Sequence, residues 1–408
     1  MRVPDRLGLY ISIPFCKAKC TFCNFASDVF APERMQQYVE RVCEEIRATR
    51  VRSTGLGAVL PGGVDTLYFG GGTPSLLTAG QMRQIFAAVR GEFAVAGDAE
   101  ITLECAPGQL EEATLAELLR QGMNRVSLGV QSYVDRESAA VGRLHTAVQC
   151  VGEVARLRSA GVSEINVDLI AGLPHQTAES WRYSVEQAVA SGVAHVSVYM
   201  LEVDEDSRLG REVLEGGGRY GAAAVPTEDD CADFYEVACA ALEAGGVSQY
   251  EISNFARAGH ASRHNVKYWR REAYLGFGLD AHSMLQTATG AVRFANGSEL
   301  DAYMAAGGPF RMLGGQEEVA DFVTRHAAFE EALFLGLRMN DGVRLEDLRV
   351  GFGAGLVEAV GASVEELCGA GLMQVEGGVM QLTGRGRMAS NEVFSRLLVG
   401  EMLKLGAD

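Results

Sequence analysis

The chain has 408 residues, 48% hydrophobic and 22% charged, a globular composition with room for roughly two or three domains. Its formal charge of -17 argues against a nucleic-acid binder, which needs a basic surface. No apolar run approaches the roughly 20 residues of a membrane span, and the start "MRVPDRLGLY" lacks the apolar core of a signal peptide, so the expected location is the cytoplasm.

In chain order, short β-like runs alternate with amphipathic helical runs. "GLYISIPF" leads to a helix over Met35–Thr49, "TLYFGGG" to one over Ala79–Arg90, and "EITLECAP" to one over Glu111–Gln121. "RVSLGVQS" leads to Ala147–Ser159, "EINVDLIAG" to Thr177–Ser191, and "HVSVYMLE" closes the series. Strand, helix, strand in repetition predicts right-handed βαβ units and a parallel sheet. Side chains alternate across a strand. Leu9, Ile11 and Ile13 therefore oppose Tyr10 and Ser12. Likewise Ile101, Leu103 and Cys105 oppose Thr102 and Glu104, while Ile165, Val167 and Leu169 oppose Asn166 and Asp168. A parallel sheet covered on both faces reads apolar on both. One polar face in strand after strand instead predicts an open partial (β/α)6 barrel of parallel strands, with helices outside and a wet, ligand-filled inside. Its chemistry belongs at the C-terminal strand ends.

The segment "LEGGGRYGAAAVP" (214–226) reads as a long surface loop, a plain insertion before a lid. A helix over Asp229–Ala244 follows, then Gln249–Ser283, dense in aromatic, His and Arg residues. Beyond about Asp301 come helices with short turns and a hairpin turning at Gly377–Gly378, which suggests a small winged-helix-like α+β domain. The expected divisions are 1–245 for the barrel, 246–310 for a connecting segment and 311–408 for the C-terminal domain.

"FCKAKCTFCNF" places Cys16, Cys20 and Cys23 on the loop after the first strand. A structural zinc site needs four closed ligands, with His145, His175 or His264 as the fourth. A ferredoxin-type carrier needs four thiolates per cluster at other spacings. Unliganded core cysteines are the bland reading. The remaining one is a 4Fe-4S cluster on three thiolates, with one iron left open to a small molecule. The other six cysteines, Cys43, Cys105, Cys150, Cys231, Cys239 and Cys368, read as small buried hydrophobes.

CxxxCxxC in this position resembles the radical S-adenosylmethionine (SAM) superfamily. The resemblance implies a 4Fe-4S cluster whose open iron is chelated by SAM, with one-electron cleavage of the sulfonium giving methionine and a 5′-deoxyadenosyl radical. "GGGTP" (70–74) falls where that superfamily has its glycine-rich stretch, which lets backbone approach the amino and carboxylate groups of SAM. Glu104, Gln131 and Asp168 are the last or nearly last inward polar residues of their strands. A cationic sulfonium would satisfy the carboxylates, and a network with Arg125 and Arg143 is the bland alternative. "LYISIPFC", "YFGGGTPS", "SLGVQS", "GRLHT" and "DLIAGLP" are similar to the branch holding the oxygen-independent coproporphyrinogen oxidases and the haem chaperones. That similarity carries SAM contacts onto Tyr10, Phe22, Gly71, Gly72, Thr73, Glu104, Gln131, Arg143 and Asp168. Ser12 departs from the branch, which often has His there.

The oxidases carry a further cysteine two residues after the third, where this chain has Phe25, and an N-terminal extension, where it has Met1–Gly8 before the first strand. Both features resemble the haem-chaperone branch. "RHNVKYW" (263–269) matches that branch's HNxxYW motif, associated there with haem. His264 is then the candidate axial ligand, with His260 and His282 as weaker alternatives, and Tyr268 and Trp269 as flat surfaces for a porphyrin. Arg263, Lys267, Arg270 and Arg271 could meet propionates or form a solvated face. "GFGLDAHS" departs from the commoner form at Leu279 and Asp280. The expected function is a haem chaperone passing haem to acceptor haemoproteins, such as membrane-associated respiratory enzymes. The alternatives are a coproporphyrinogen III dehydrogenase and a radical enzyme with another substrate.

Overall fold

A computed structural model of the chain describes residues 6–305 and 321–398. Six strands follow the expected order: β1 (Arg6–Ile13), β2 (Gly63–Gly71), β3 (Val95–Cys105), β4 (Arg125–Gln131), β5 (Glu164–Ala171) and β6 (His195–Met200). Each pairs with the next in parallel. The helices between them are α1 (Pro32–Arg47), α2 (Ala79–Glu92), α3 (Glu112–Arg120), α4 (Ala147–Ser159) and α5 (Ala178–Ala190). Helix α6 (Glu228–Ala244) follows β6. Four of these helices start alike. Thr78, Thr146, Thr177 and Thr227 each accept a hydrogen bond from the third helical N–H, whose own side chain reaches back to close a capping box. Each threonine cap contributes about 1 kcal/mol. The turns are thus fixed locally by T-x-x-Q, T-x-x-S and T-x-x-D.

The sheet is larger than the six-strand reading. After α7 (Arg263–Trp269), strand β7 (Tyr274–Phe277) pairs in parallel on the free side of β1. Two antiparallel strands, β8 (His282–Thr287) and β9 (Ala291–Ala295), extend that edge. At the opposite edge, Asn254–Ala256 runs antiparallel to β6. Among the described residues the sheet has 13 strands and stays open. Short strands within residues 249–283 therefore extend both edges of the sheet. The reason is satisfaction of backbone groups: both edges of a six-strand parallel sheet expose unpaired N–H and C=O groups, and the later segment covers them.

The two faces divide as the alternation predicts. Ile11, Phe69, Leu103, Leu128, Val167 and Val198 are buried on the outer side in one core with Val39, Ile85, Leu118, Val154 and Trp181 from the helices. The residues that alternate with them include Thr66, Thr102, Ser127, Asn166 and Ser197, all buried. Residues 214–226 are only partly a loop. Arg219–Ala224 forms a short 3-10 segment, and Ala222 is buried against Val141, Ile170 and Leu209.

A second core gathers Phe329, Leu333 and Leu337 of α8 (Arg325–Arg338) with Leu367, Met380 and Val393. It includes a separate three-stranded sheet of β10 (Val343–Arg344), β11 (Met373–Glu376) and β12 (Val379–Leu382). Gly377 and Gly378 turn the hairpin, both at positive φ, the conformation a two-residue hairpin turn demands. The expected boundary at 311 lies outside the described residues, as does the stretch beyond 398.

Candidate functional site

The loop after β1 carries the three thiols and is closed on itself. Cys16 N–H donates to Asp28 O at 3.0 Å, and Asp28 N–H donates to Pro14 O at 3.0 Å. The glycine stretch ending β2 is laced to the same loop: Gly72 N–H donates to Ile13 O and Thr73 N–H to Phe15 O, each at 2.8 Å. A Cβ at Gly72 would stand 2.9 Å from both of those carbonyl oxygens, so only glycine permits this approach. Thr73 Oγ1 then lies 3.7 Å from Cys16 Sγ. Arg143 reaches over from the loop after β4, with Nη1 3.4 Å from Cys20 Sγ and Nη2 donating to Gly129 O. Burial raises the thiol pKa of Cys16 and of Cys23, against the smaller lowering effect of hydrogen bonds, including one from Ser27 to each.

The donors are not drawn around one point. Among the described residues, no three or more His, Cys, Asp or Glu side chains converge on a position for a single metal ion. A closed zinc site needs such convergence, and His145, His175 and His264 do not complete one. A cubane asks for wider spacing, because each thiolate meets a different iron. Three loop thiolates with a guanidinium and a threonine hydroxyl beside them fit that group. Of the other six cysteines, Cys43, Cys105 and Cys150 are buried as expected, while Cys231, Cys239 and Cys368 are only partly covered.

The carboxylates at the strand ends are paired differently from the bland expectation. Arg125 turns to Glu100 and Glu164, at 3.8 and 3.9 Å. Glu104 accepts from Tyr68 Oη at 2.9 Å and from the Gly71 N–H. Asp168 accepts from Ser127 Oγ at 3.1 Å and from Asn166 Nδ2 at 2.7 Å. Their hydrogen-bond donors are neutral. Burial accordingly lifts Glu104 to about 7 and raises Asp168. Gln131 ends β4 at φ 69°, outside the usual region for its residue type, and its Oε1 is buried without a partner. Gly129 lies under both neighbours: a Cβ there would stand 2.4 Å from Arg143 Nη2 and 3.0 Å from Gln131 Nε2. Two buried acids with no cation hydrogen-bonded to them, Asp168 feeling Arg143 only at a distance, and one orphaned amide oxygen fit a ligand that is cationic and carries hydroxyl and amino donors, as SAM does.

Tyr10 stacks on Tyr68, with ring centroids 5.9 Å apart. Phe22 packs in the small cluster with Ile170 and Leu173, next to the Asp168 strand end. The sequence reading passed over Tyr68 and Ser197 and placed Ser127 on the polar face without giving it a role. The signal was present, since Thr66, Tyr68 and Gly70 share the inward face of β2.

The HNxxYW segment forms α7, which enters the inside of the sheet. Its first N–H groups are capped by the sheet itself: Arg263 N–H donates to Glu100 Oε2 at 3.0 Å and His264 N–H to Glu100 Oε1 at 2.9 Å. His264 is 1% exposed. Its Nδ1 is 2.8 Å from Thr66 Oγ1 and its Nε2 2.8 Å from Tyr268 Oη, so both ring nitrogens are engaged. Burial lowers its pKa to about 3 and keeps it neutral. As folded it has no nitrogen free for iron. Trp269 points away from the inward face, under the Arg338 guanidinium at 4.4 Å. Lys267 is buried in ion pairs with Asp65 and Glu272, at 2.8 and 3.0 Å, and Arg271 pairs with Glu331. Neither side chain is available to a propionate. Arg263 reaches Asp65 at 3.7 Å and Arg270 reaches Asp341 at 3.5 Å.

A cavity of about 310 Å³ opens between the cysteine loop and the β7–β8 turn. Tyr10, Gly71, Phe25, Tyr268, Tyr274 and His282 line it.

Comparison with known proteins places this geometry. Residues 10–188 match the Radical SAM superfamily, and residues 323–389 match the HemN C-terminal domain. A protein of Lactococcus lactis, heme chaperone HemW, is 31% identical over 96% of this chain and 97% of its own length. The chain belongs to the HemW family of radical SAM proteins. Heme chaperone HemW of Escherichia coli is 33% identical to this HemW-family chain over 70% of it and 72% of the relative. In fold, the chain superimposes on the coproporphyrinogen III oxidase HemN of Escherichia coli with a TM-score of 0.78. That match has 23% identity and covers 96% of this chain and 90% of HemN. Both describe an open α/β sheet followed by a small domain with its own sheet. No helix among the described residues is long and apolar enough to cross a membrane.

Proposed function

We propose that this protein is a haem chaperone, which takes up haem and delivers it to acceptor haemoproteins such as membrane-associated respiratory enzymes, from the cytoplasm. The observation that carries the reading is similarity along nearly the whole chain to relatives named heme chaperone HemW. Phe25, standing where the oxidases have a further cysteine, supports the same branch. In this reading Cys16, Cys20 and Cys23 hold a 4Fe-4S cluster. Gly71, Gly72 and Thr73 present backbone to the amino and carboxylate groups of SAM, while Tyr10, Phe22, Glu104, Gln131, Arg143 and Asp168 surround the rest of it. Reduced, such a cluster supplies one electron to the sulfonium of SAM. The protein's own contribution is placement. Arg143 lays positive charge against Cys20, the acids on the polar face answer the sulfonium, and stacked Tyr10 and Tyr68 exclude water on one side. Units of 1–245, 246–310 and 311–408 remain the working division.

The test has two arms. Iron and sulfide analysis of anaerobically purified Cys20→Ala should show loss of most of the cluster, while retention at the wild-type level removes the thiol assignment. Incubated with coproporphyrinogen III, SAM and a reductant, the protein should give no protoporphyrinogen at enzymatic rates while binding added haem. Turnover would favour the dehydrogenase reading.

A further inference from the structure

We infer that His282, and not the histidine of the HNxxYW motif, supplies the axial nitrogen for haem iron, at the rim of the cavity beside the cysteine loop. The inference rests on the haem-chaperone reading and adds its ligand residue. Imidazole ligates iron only through an unprotonated nitrogen with its lone pair free. The chain has seven histidines, all among the described residues. His195 and His264 have both ring nitrogens engaged, the latter by Thr66 and Tyr268. His145 is buried on Val130 O, His175 faces Arg136, and His260 is held by Glu164 at 2.8 Å. Neither His326 nor any of the other five is among the residues lining the cavity. His282 lines the cavity, is exposed, and has no hydrogen bond on its ring among the described residues.

Its surroundings suit a planar apolar ring. Phe25, 62% exposed, also lines the cavity, and Tyr268 packs edge-on to Tyr274 with centroids 4.7 Å apart. The turn that carries His282 is held firmly. Gly278 N–H donates to Glu45 Oε2 at 2.9 Å, and Leu279 N–H donates to Tyr38 Oη at 2.8 Å. Glu45, itself 2% exposed, also accepts from Asn296 at 2.6 Å and Tyr303 at 2.7 Å. Asp280, two residues before His282, sits at φ 55°, a conformation that costs free energy in a non-glycine residue and recurs at functional sites. A buried carboxylate on α1, far along the chain, thus positions this turn. In the same arrangement His264 acts at one remove: bonded between Thr66 and Tyr268, it aims the Tyr268 ring into the cavity.

The experiment is a titration of the cluster-reconstituted full-length protein with hemin, followed in the Soret region. Wild type should show the spectrum of imidazole-ligated haem. His282→Ala should bind at least about tenfold more weakly and lose that spectrum, and added imidazole should restore it. Because His282 is exposed at the first position of β8, the substitution leaves the core intact, which retained cluster absorbance and circular dichroism verify. His264→Gln should keep the imidazole spectrum. Unchanged affinity and spectrum in His282→Ala would overturn the assignment while leaving the chaperone reading in place, as would an imidazole signature lost only in His264→Gln. Absence of haem binding by the wild type would overturn both.

Discussion

At the scale of single residues, the site is a collection of groups whose environments make sense only with something between them. Glu104 is the clearest case. Burial, with the nearby Asp168 charge, lifts its pKa from 4.5 to about 7, outweighing the lowering by the Tyr68 hydroxyl and the Gly71 N–H. A carboxyl whose folded pKa is raised favours the protonated fold. Below 4.5 it contributes no difference, and as pH climbs toward 7 the unfolded chain ionises more readily, so stability is lost with rising pH. The ligand-free Glu104→Gln variant should therefore gain on the wild type across that window, reaching about 3 kcal/mol at pH 8. Paired thermal melts at pH 5 and pH 8 measure it, and a difference that does not grow with pH contradicts the burial argument. The same variant should bind SAM more weakly, since the group that burdens the empty fold is the one a cationic ligand would repay.

At the scale of elements, α7 shows why a seven-residue helix can be rigid. Isolated, it would be far below the length at which helices persist in water. It is held by tertiary contacts: Glu100 caps its N–H groups, Thr66 takes His264, and Lys267 is buried between Asp65 and Glu272. Lys267→Ala should cost about 3 kcal/mol, because Asp65, in a site 13% exposed, keeps only the longer Arg263 contact at 3.7 Å. Urea unfolding followed by far-UV circular dichroism checks this; a loss under 1 kcal/mol would mean that the helix is seated by packing alone. The four capping boxes, by contrast, are wholly local, because both partners lie within three residues of each other.

For the whole molecule, the decisive contacts join segments distant in sequence. Glu331 of α8 is 6% exposed and accepts from Arg271 Nε and Arg293 Nη1, both at 2.8 Å. One carboxylate thereby ties the small C-terminal unit to the edge of the large sheet. Glu331→Ala leaves two guanidiniums facing each other and should lower stability by about 3 kcal/mol. Hydrogen exchange should rise in α8 and β9 together. A rise confined to α8 would show that the ion pair does not couple the two units.

The alternation of apolar and polar residues by itself determined the six parallel strands, the helices outside them and the polar inner face, because period and burial are local consequences of strand geometry. The position of the cysteines likewise placed their loop at one end of the sheet, since a loop directly after the first strand has only that end to occupy. Only the tertiary structure decided that the segment from 249 to 283 closes both sheet edges, that Arg125 turns away from the acids and that His264 has no free nitrogen while His282 does. Those outcomes depend on which distant groups arrive to satisfy each donor and acceptor, and hydrogen-bond partners separated by 40 to 260 positions, such as Glu45 with Tyr303 or Thr66 with His264, leave no local pattern in the chain.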